Sequence, residues 1–159
     1  PRRPYFTQLA VSALIVGLVI LLGWAVWTIR GNNDLGSARQ SALAAARGFA
    51  LQISTYQYEH LSQEVAAIDA DSTAEFKAHF DQAVTALTTI LAQQHASASG
   101  TIRAVGLVSA TMHKAVAVAF VDESLTFPTT TKAATQATRL KMTLVRQSGR
   151  WMLDGASLI

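Results

Sequence analysis

The chain contains no cysteine in its 159 residues. Disulfides, thiolate nucleophiles and iron–sulfur or cysteine–zinc centres are therefore excluded. Histidine is scarce as well. His60, His79, His95 and His113 never stand in an H-x-x-H, H-x-x-x-H or H-E-x-x-H spacing, so no metal site is expected. His79 and Asp81 fall on one predicted helix, but residues two apart point to different sides of it and do not act as a base and its orienting group. The nine glycines form neither a G-x-G-x-x-G nor a phosphate loop ending in Lys-Ser or Lys-Thr, and no G-x-S-x-G turn occurs. No cofactor, no nucleotide and no nucleophilic catalysis are expected from these residues.

Charge is also sparse, with 14% of residues charged and a formal net charge of +3. The excess comes from Arg2, Arg3 and Arg30, because residues 31–159 hold ten basic and ten acidic side chains. A basic pI therefore implies no nucleic-acid partner. Within the neutral portion the signs separate. Glu59, Glu64, Asp69, Asp71, Glu75 and Asp81 have only Lys77 among them, whereas Lys132, Arg139, Lys141, Arg146 and Arg150 run without an acid. Opposed acidic and basic sides are expected, and Lys141 and Arg146 are candidates for docking to a charged partner.

Against these absences stands one long apolar run, Leu9 to Ile29, without a single charge. As a helix rising about 1.5 Å per residue it reaches roughly 31 Å, enough to cross a hydrocarbon core about 30 Å thick. It is too long for the apolar core of a secretory signal, typically about 7 to 15 residues. Tyr5 and Phe6 precede it and Trp24 and Trp27 close it, as expected of aromatic rings at a membrane interface. Ala10, Ala13 and Gly17, at i, i+3 and i+7, form a small-residue face on which another membrane helix can pack. The flanking arginines do not settle the orientation.

The organisation expected is a segment 1–30 comprising the N-terminus and the span, a linker 31–36 and one domain over 37–159. After the polar Gly31-Asn32-Asn33-Asp34, apolar residues at helical spacing predict a first helix from about Leu35 to Tyr56, capped by Asp34 or Ser37. A second runs from Tyr58 to Ile68. Ser72 and Glu75 form the S-x-x-E pattern of a capping box, and Phe76, Phe80, Val84, Leu87 and Leu91 continue as one stripe of a third helix to about Gln93. This third helix is expected to lie across the sheet with its stripe buried.

From Thr101 the period becomes two. Strands are expected around Ile102 to Val108, from Ala115 to Phe127, from Arg139 to Gln147 and from Trp151 to Ile159, with a tight hairpin at Ser148-Gly149. Three helices followed by about four antiparallel strands make an α+β domain with helices on one face of a curved sheet. Tyr56 and Tyr58 are candidates to line a pocket between helices and sheet. Asp154 could supply an acid–base partner there, but no second carboxylate or histidine stands at a defined spacing, and no catalysis is expected.

Three stretches carry a family resemblance: TYQYEHL with Tyr56 and Tyr58, EFKAHF from Glu75 to Phe80, and V-x-x-x-G-x-W from Val145 to Trp151 continued by Met152-Leu153-Asp154. Taken in order behind an N-terminal anchor, they make the chain similar to the Mce-associated membrane proteins of actinobacteria. The resemblance implies an NTF2-like fold, a cytosolic N-terminus and a periplasmic domain held to the plasma membrane by a single pass. It further implies a non-catalytic accessory subunit whose partners are the permease and Mce subunits of a lipid importer, in contact with membrane lipid. The alternative within the same resemblance is an anchored pocket protein that binds a lipid or acts as an isomerase or dehydratase.

Overall fold

The structure is a computed structural model that describes residues 34–128 and 133–159. The predicted span lies outside the described residues, and so do Tyr5, Phe6, Trp24, Trp27, Ala10, Ala13 and Gly17. Among the described residues no helix is long and apolar enough to cross a membrane.

Residues Ala38–Ile159 form one compact unit. It begins within helix α1, described over 34–54, and continues through α2 (Leu61–Ala70) and α3 (Ala74–Gln94). Four strands follow, β1 (Ser97–Ala110), β2 (Lys114–Thr126), β3 (Ala134–Gln147) and β4 (Arg150–Leu158). They pair antiparallel in chain order, β1-β2-β3-β4. The mixed α+β class and the four-stranded antiparallel sheet are as the periodicity predicts.

Burial alternates along the strands, and in β2 the smaller set of side chains faces inward while Phe120 is exposed. Ala115, Ala117, Ala119 and Val121 of β2 point inward with Leu140, Met142 and Leu144 of β3 and Trp151 and Leu153 of β4, all within one core cluster. The helical contribution to that cluster comes chiefly from α1, through Ala38, Ala42, Ala46, Phe49 and Ala50. The four alanines recur every fourth residue and so form one stripe. Methyl groups on both the helix and β2 let the two backbones approach closely, and Trp151 Nε1 donates to Ser41 Oγ at 2.9 Å along the same contact.

This overturns the expectation that the third helix covers the sheet. Leu87 is 51% exposed, and Phe76, Phe80, Val84 and Leu91 are only partly buried. The α3 stripe faces α2 and the end of α1 across a gap, while Phe76 and Phe80 stack on each other at 5.3 Å and touch the core from its margin. A stripe of large apolar residues shows that a helix buries a face, but the place nearest the sheet goes to the smallest side chains.

The element ends differ for local reasons. Helix α1 stops at residue 54 because Tyr56 is drawn into a bridge with Ala98, its N–H donating at 3.0 Å and its carbonyl accepting at 2.8 Å. Residues 34–36, the described end of the expected linker, are helical, and Ser37 sits inside the helix rather than at its cap. Thr73, not Ser72, is the N-cap of α3, its hydroxyl accepting from Phe76 N–H at 3.2 Å. Ser72 instead donates to the Ile68 carbonyl at 2.7 Å and forms a parallel bridge with Leu153. The α2–α3 turn is thus laid along β4, and the α1–α2 connection is tied to β1. Contacts of this kind shield the two edges of a sheet from pairing with other chains. The Ser148-Gly149 hairpin is as predicted, with φ of 50° and 82° at its two central residues.

Candidate functional site

The end of α1, α2 and α3 enclose a recess of about 130 Å³. Its walls are almost wholly apolar, with Ile53 and Tyr56 from α1 and the segment after it, Leu61, Val65 and Ile68 from α2, and Phe80, Val84, Leu87 and Leu91 from α3. On the other side of Leu61, Val65, Val84 and Thr88 lies an open groove of about 530 Å³, bordered by Tyr58, Glu59, Ser62, Asp81, Thr85 and Thr89. The two candidate tyrosines are therefore divided, Tyr56 lining the recess and Tyr58 the groove.

The ionisable groups in the recess are already engaged or poorly suited to proton transfer near neutrality. Glu64 accepts the Gln57 N–H with both carboxylate oxygens, at 3.0 and 3.1 Å. Burial, and secondarily the negative charge of Glu123, push the Tyr56 phenol above its usual range, which makes it a weaker acid. The Tyr58 hydroxyl donates to Glu59 Oε1 at 3.0 Å, which raises its pKa, and its ring meets His95 edge-on at 4.9 Å. Asp154 does not join this site. Its Oδ1 accepts from Thr73 Oγ1 at 3.0 Å, so it steadies the start of α3. The pairing of Tyr56 with Asp154 considered from the sequence is not formed. Among the described residues no group of three metal-ligating side chains converges.

The family described as "Uncharacterized protein Rv1363c/MT1408-like" matches residues 5–157. The chain belongs to the Rv1363c/MT1408-like family. Uncharacterized protein Rv1363c of Mycobacterium tuberculosis (strain ATCC 25618 / H37Rv) is 23% identical over all 159 residues, and the chain spans 61% of that relative's length. Among solved structures, the periplasmic domain of DotI is similar with a TM-score of 0.66 and 14% identity, covering 76% of this chain and 94% of that one. An IcmL-like type IV secretion system protein from Legionella pneumophila subsp. pneumophila str. Philadelphia 1 gives 0.64 and 11%, covering 76% and 93%. A periplasmic fragment of TraM gives 0.62 and 14%, covering 75% and 95%. These likenesses establish a shared fold.

In this Rv1363c/MT1408-like chain the segregated charges are partly reconnected by folding. Arg150 pairs with Asp71, Lys77 with Asp69 and at 3.5 Å with Asp81, and Arg103 with Asp122 at 2.6 Å. The two docking candidates also separate. Lys141 is exposed on the outer face of β3, beside Val118 of β2 and Ser157 of β4. Arg146 is held within its own hairpin, its Nε donating to the Gly149 carbonyl at 3.3 Å and its guanidinium 6.0 Å from the Trp151 ring centroid. The sequence named Tyr56 as a pocket residue but placed that pocket between helices and sheet, whereas the recess lies among the helices. Its signal was present as the two stripes Leu61-Val65-Ile68 and Phe80-Val84-Leu87-Leu91, which face each other without closing.

Proposed function

We propose that this chain is a non-catalytic, single-pass accessory subunit that associates with and stabilises a Mce-type lipid-import complex in the plasma membrane. Its N-terminus is cytosolic, and its α+β unit, read as NTF2-like, stands in the periplasm. The observation that carries the reading is the order of parts: an uncharged run of spanning length, Leu9 to Ile29, directly before a compact domain. The fold shared with the periplasmic domains of DotI and TraM supports placement of such a domain outside the plasma membrane. A non-catalytic role is supported by the recess, where Glu64 is held by a backbone N–H and Tyr56 is a weak acid.

In this reading the partners are permease and Mce subunits, met through the face of Ala10, Ala13 and Gly17, with Lys141 adding an exposed polar contact. Lipid supplies no hydrophobic drive for helices to associate, so close packing over small residues holds the contact. The test is affinity purification of the full chain from membranes in mild detergent. Permease and Mce subunits are expected to co-purify and to be lost from Ala13→Leu/Gly17→Leu, which keeps the run apolar and membrane-resident. Recovery of no lipid-transport subunit with the wild-type chain overturns the assignment.

A further inference from the structure

The geometry points to a ligand site in the helical layer: the recess among α1, α2 and α3 takes the alkyl end of a single-chain amphiphile whose headgroup, a hydroxyl or an ammonium, lies in the adjoining groove. The site is independent of the assembly proposed above, since its residues belong to none of the partner-contact surfaces.

The recess selects for hydrocarbon. Walls of Ile53, Val65, Ile68, Phe80, Val84 and Leu91 offer water few hydrogen-bond partners, whereas an alkyl chain placed against them leaves water. The mouth is incompletely covered by the protein itself, because Leu87 lines the recess and is still 51% exposed. Leu61, Val65, Val84 and Thr88 line both the recess and the groove, so one elongated molecule can cross from one to the other. Its apolar end is then enclosed and its polar end remains in water.

The groove selects the headgroup. Thr85 Oγ1 donates to the Asp81 carbonyl at 2.6 Å, and Thr88 and Thr89 donate to the Thr85 carbonyl at 3.1 and 2.9 Å. Tyr58 donates to Glu59. With these protons engaged inside the protein, the groove, apart from the Ser62 hydroxyl, presents lone pairs from its threonines and the carboxylates of Glu59 and Asp81. The neighbouring cation, Lys77, is paired with Asp69 and Asp81. Such a surface suits a headgroup that donates, and it repels a carboxylate or phosphate.

The test uses the full chain in lipid nanodiscs and three C12 probes carrying a diazirine at the chain terminus: the primary alcohol, the primary amine and the carboxylic acid. After irradiation, labelled peptides are mapped by mass spectrometry. The alcohol and the amine are expected to label α2 and α3, with competition by excess unlabelled dodecan-1-ol. The acid is expected to label there about tenfold less, through like-charge repulsion. Val84→Phe fills the recess and should lower labelling about tenfold, equivalent to the loss of roughly two buried methylenes. Thr88→Phe at the mouth replaces it if Val84→Phe unfolds, and competition in the wild-type chain decides by itself. Labelling that is not competed, or that survives in a folded, recess-filled variant, overturns the site. Equal labelling by the acid overturns the headgroup assignment.

Discussion

At the scale of single residues, Gly100 shows how closely the two layers meet. A Cβ added there would lie 2.7 Å from Ser54 Cβ and 3.0 Å from the Ser54 carbonyl oxygen, and Ser54 is fully buried. Gly100→Ala therefore forces the end of α1 away from β1, and a loss of about 1 to 3 kcal/mol is expected in chemical unfolding. Tyr56 gives a second prediction. Its pKa is raised in the fold, first by burial, so its contribution to stability is complete below its ordinary value and is lost as pH climbs through the raised one. Lys77, raised mainly by its bond to Asp69, acts in the same alkaline window. Thermal unfolding followed from about pH 8 to about pH 11 should thus show a fall in Tm that begins near the phenol range, and Tyr56→Phe should remove part of it. Tyr56 was legible in the sequence as a residue of the helix end facing a pocket. The sequence predicts a small-residue loop over Ala96 to Gly100, but Gly100 lies within β1, and its constraint comes from a residue 46 positions earlier.

At the scale of elements, α1 and α3 exchange the roles that hydropathy suggests. Ala46 is fully buried in the stripe that meets the sheet, and Ala46→Leu is expected to cost about 1 to 3 kcal/mol through overpacking, measured by urea unfolding. The larger Leu51 on the same helix is 46% exposed, so its removal should matter much less. The cap of α3 is a sharper case. Thr73 accepts from Phe76 N–H and donates to Asp154, so Thr73→Ala should cost about 0.5 to 2 kcal/mol and Asp154→Asn should share part of that loss. Non-additivity in the double variant would show that the two act as one unit. The sequence offered Ser72 with Glu75 as a capping pattern, one residue away from the actual cap. What moved it is the bridge between Ser72 and Leu153, a contact across the whole domain.

At the scale of the molecule, the proposed complex is held by the membrane segment and adjusted by charge. Exposed ion pairs are typically worth about 0 to 1 kcal/mol each, so Lys141→Glu should weaken co-purification slightly and only at low salt, whereas Ala13→Leu/Gly17→Leu should abolish it. Arg146→Glu separates two roles. Because Arg146 bonds within its hairpin and lies over Trp151, its loss should lower stability more than it changes partner binding. A Tm measured beside the co-purification distinguishes the two effects.

The sequence by itself determined the order of three helices and four strands, the Ser148-Gly149 turn and the uncharged run of spanning length. These follow from local rules: a period of 3.6 or of two, a backbone that needs positive φ, and the length of an apolar segment. Only the tertiary structure decided which helix covers the sheet, where Asp154 goes, which charges pair and that two apolar stripes stop short of closing. Periodicity records that a face is buried and carries no information about its partner. Packing chose the alanines of α1 for the closest approach, and the bulkier stripes of α2 and α3, each legible by itself, were left around a space that depends on how the two helices meet.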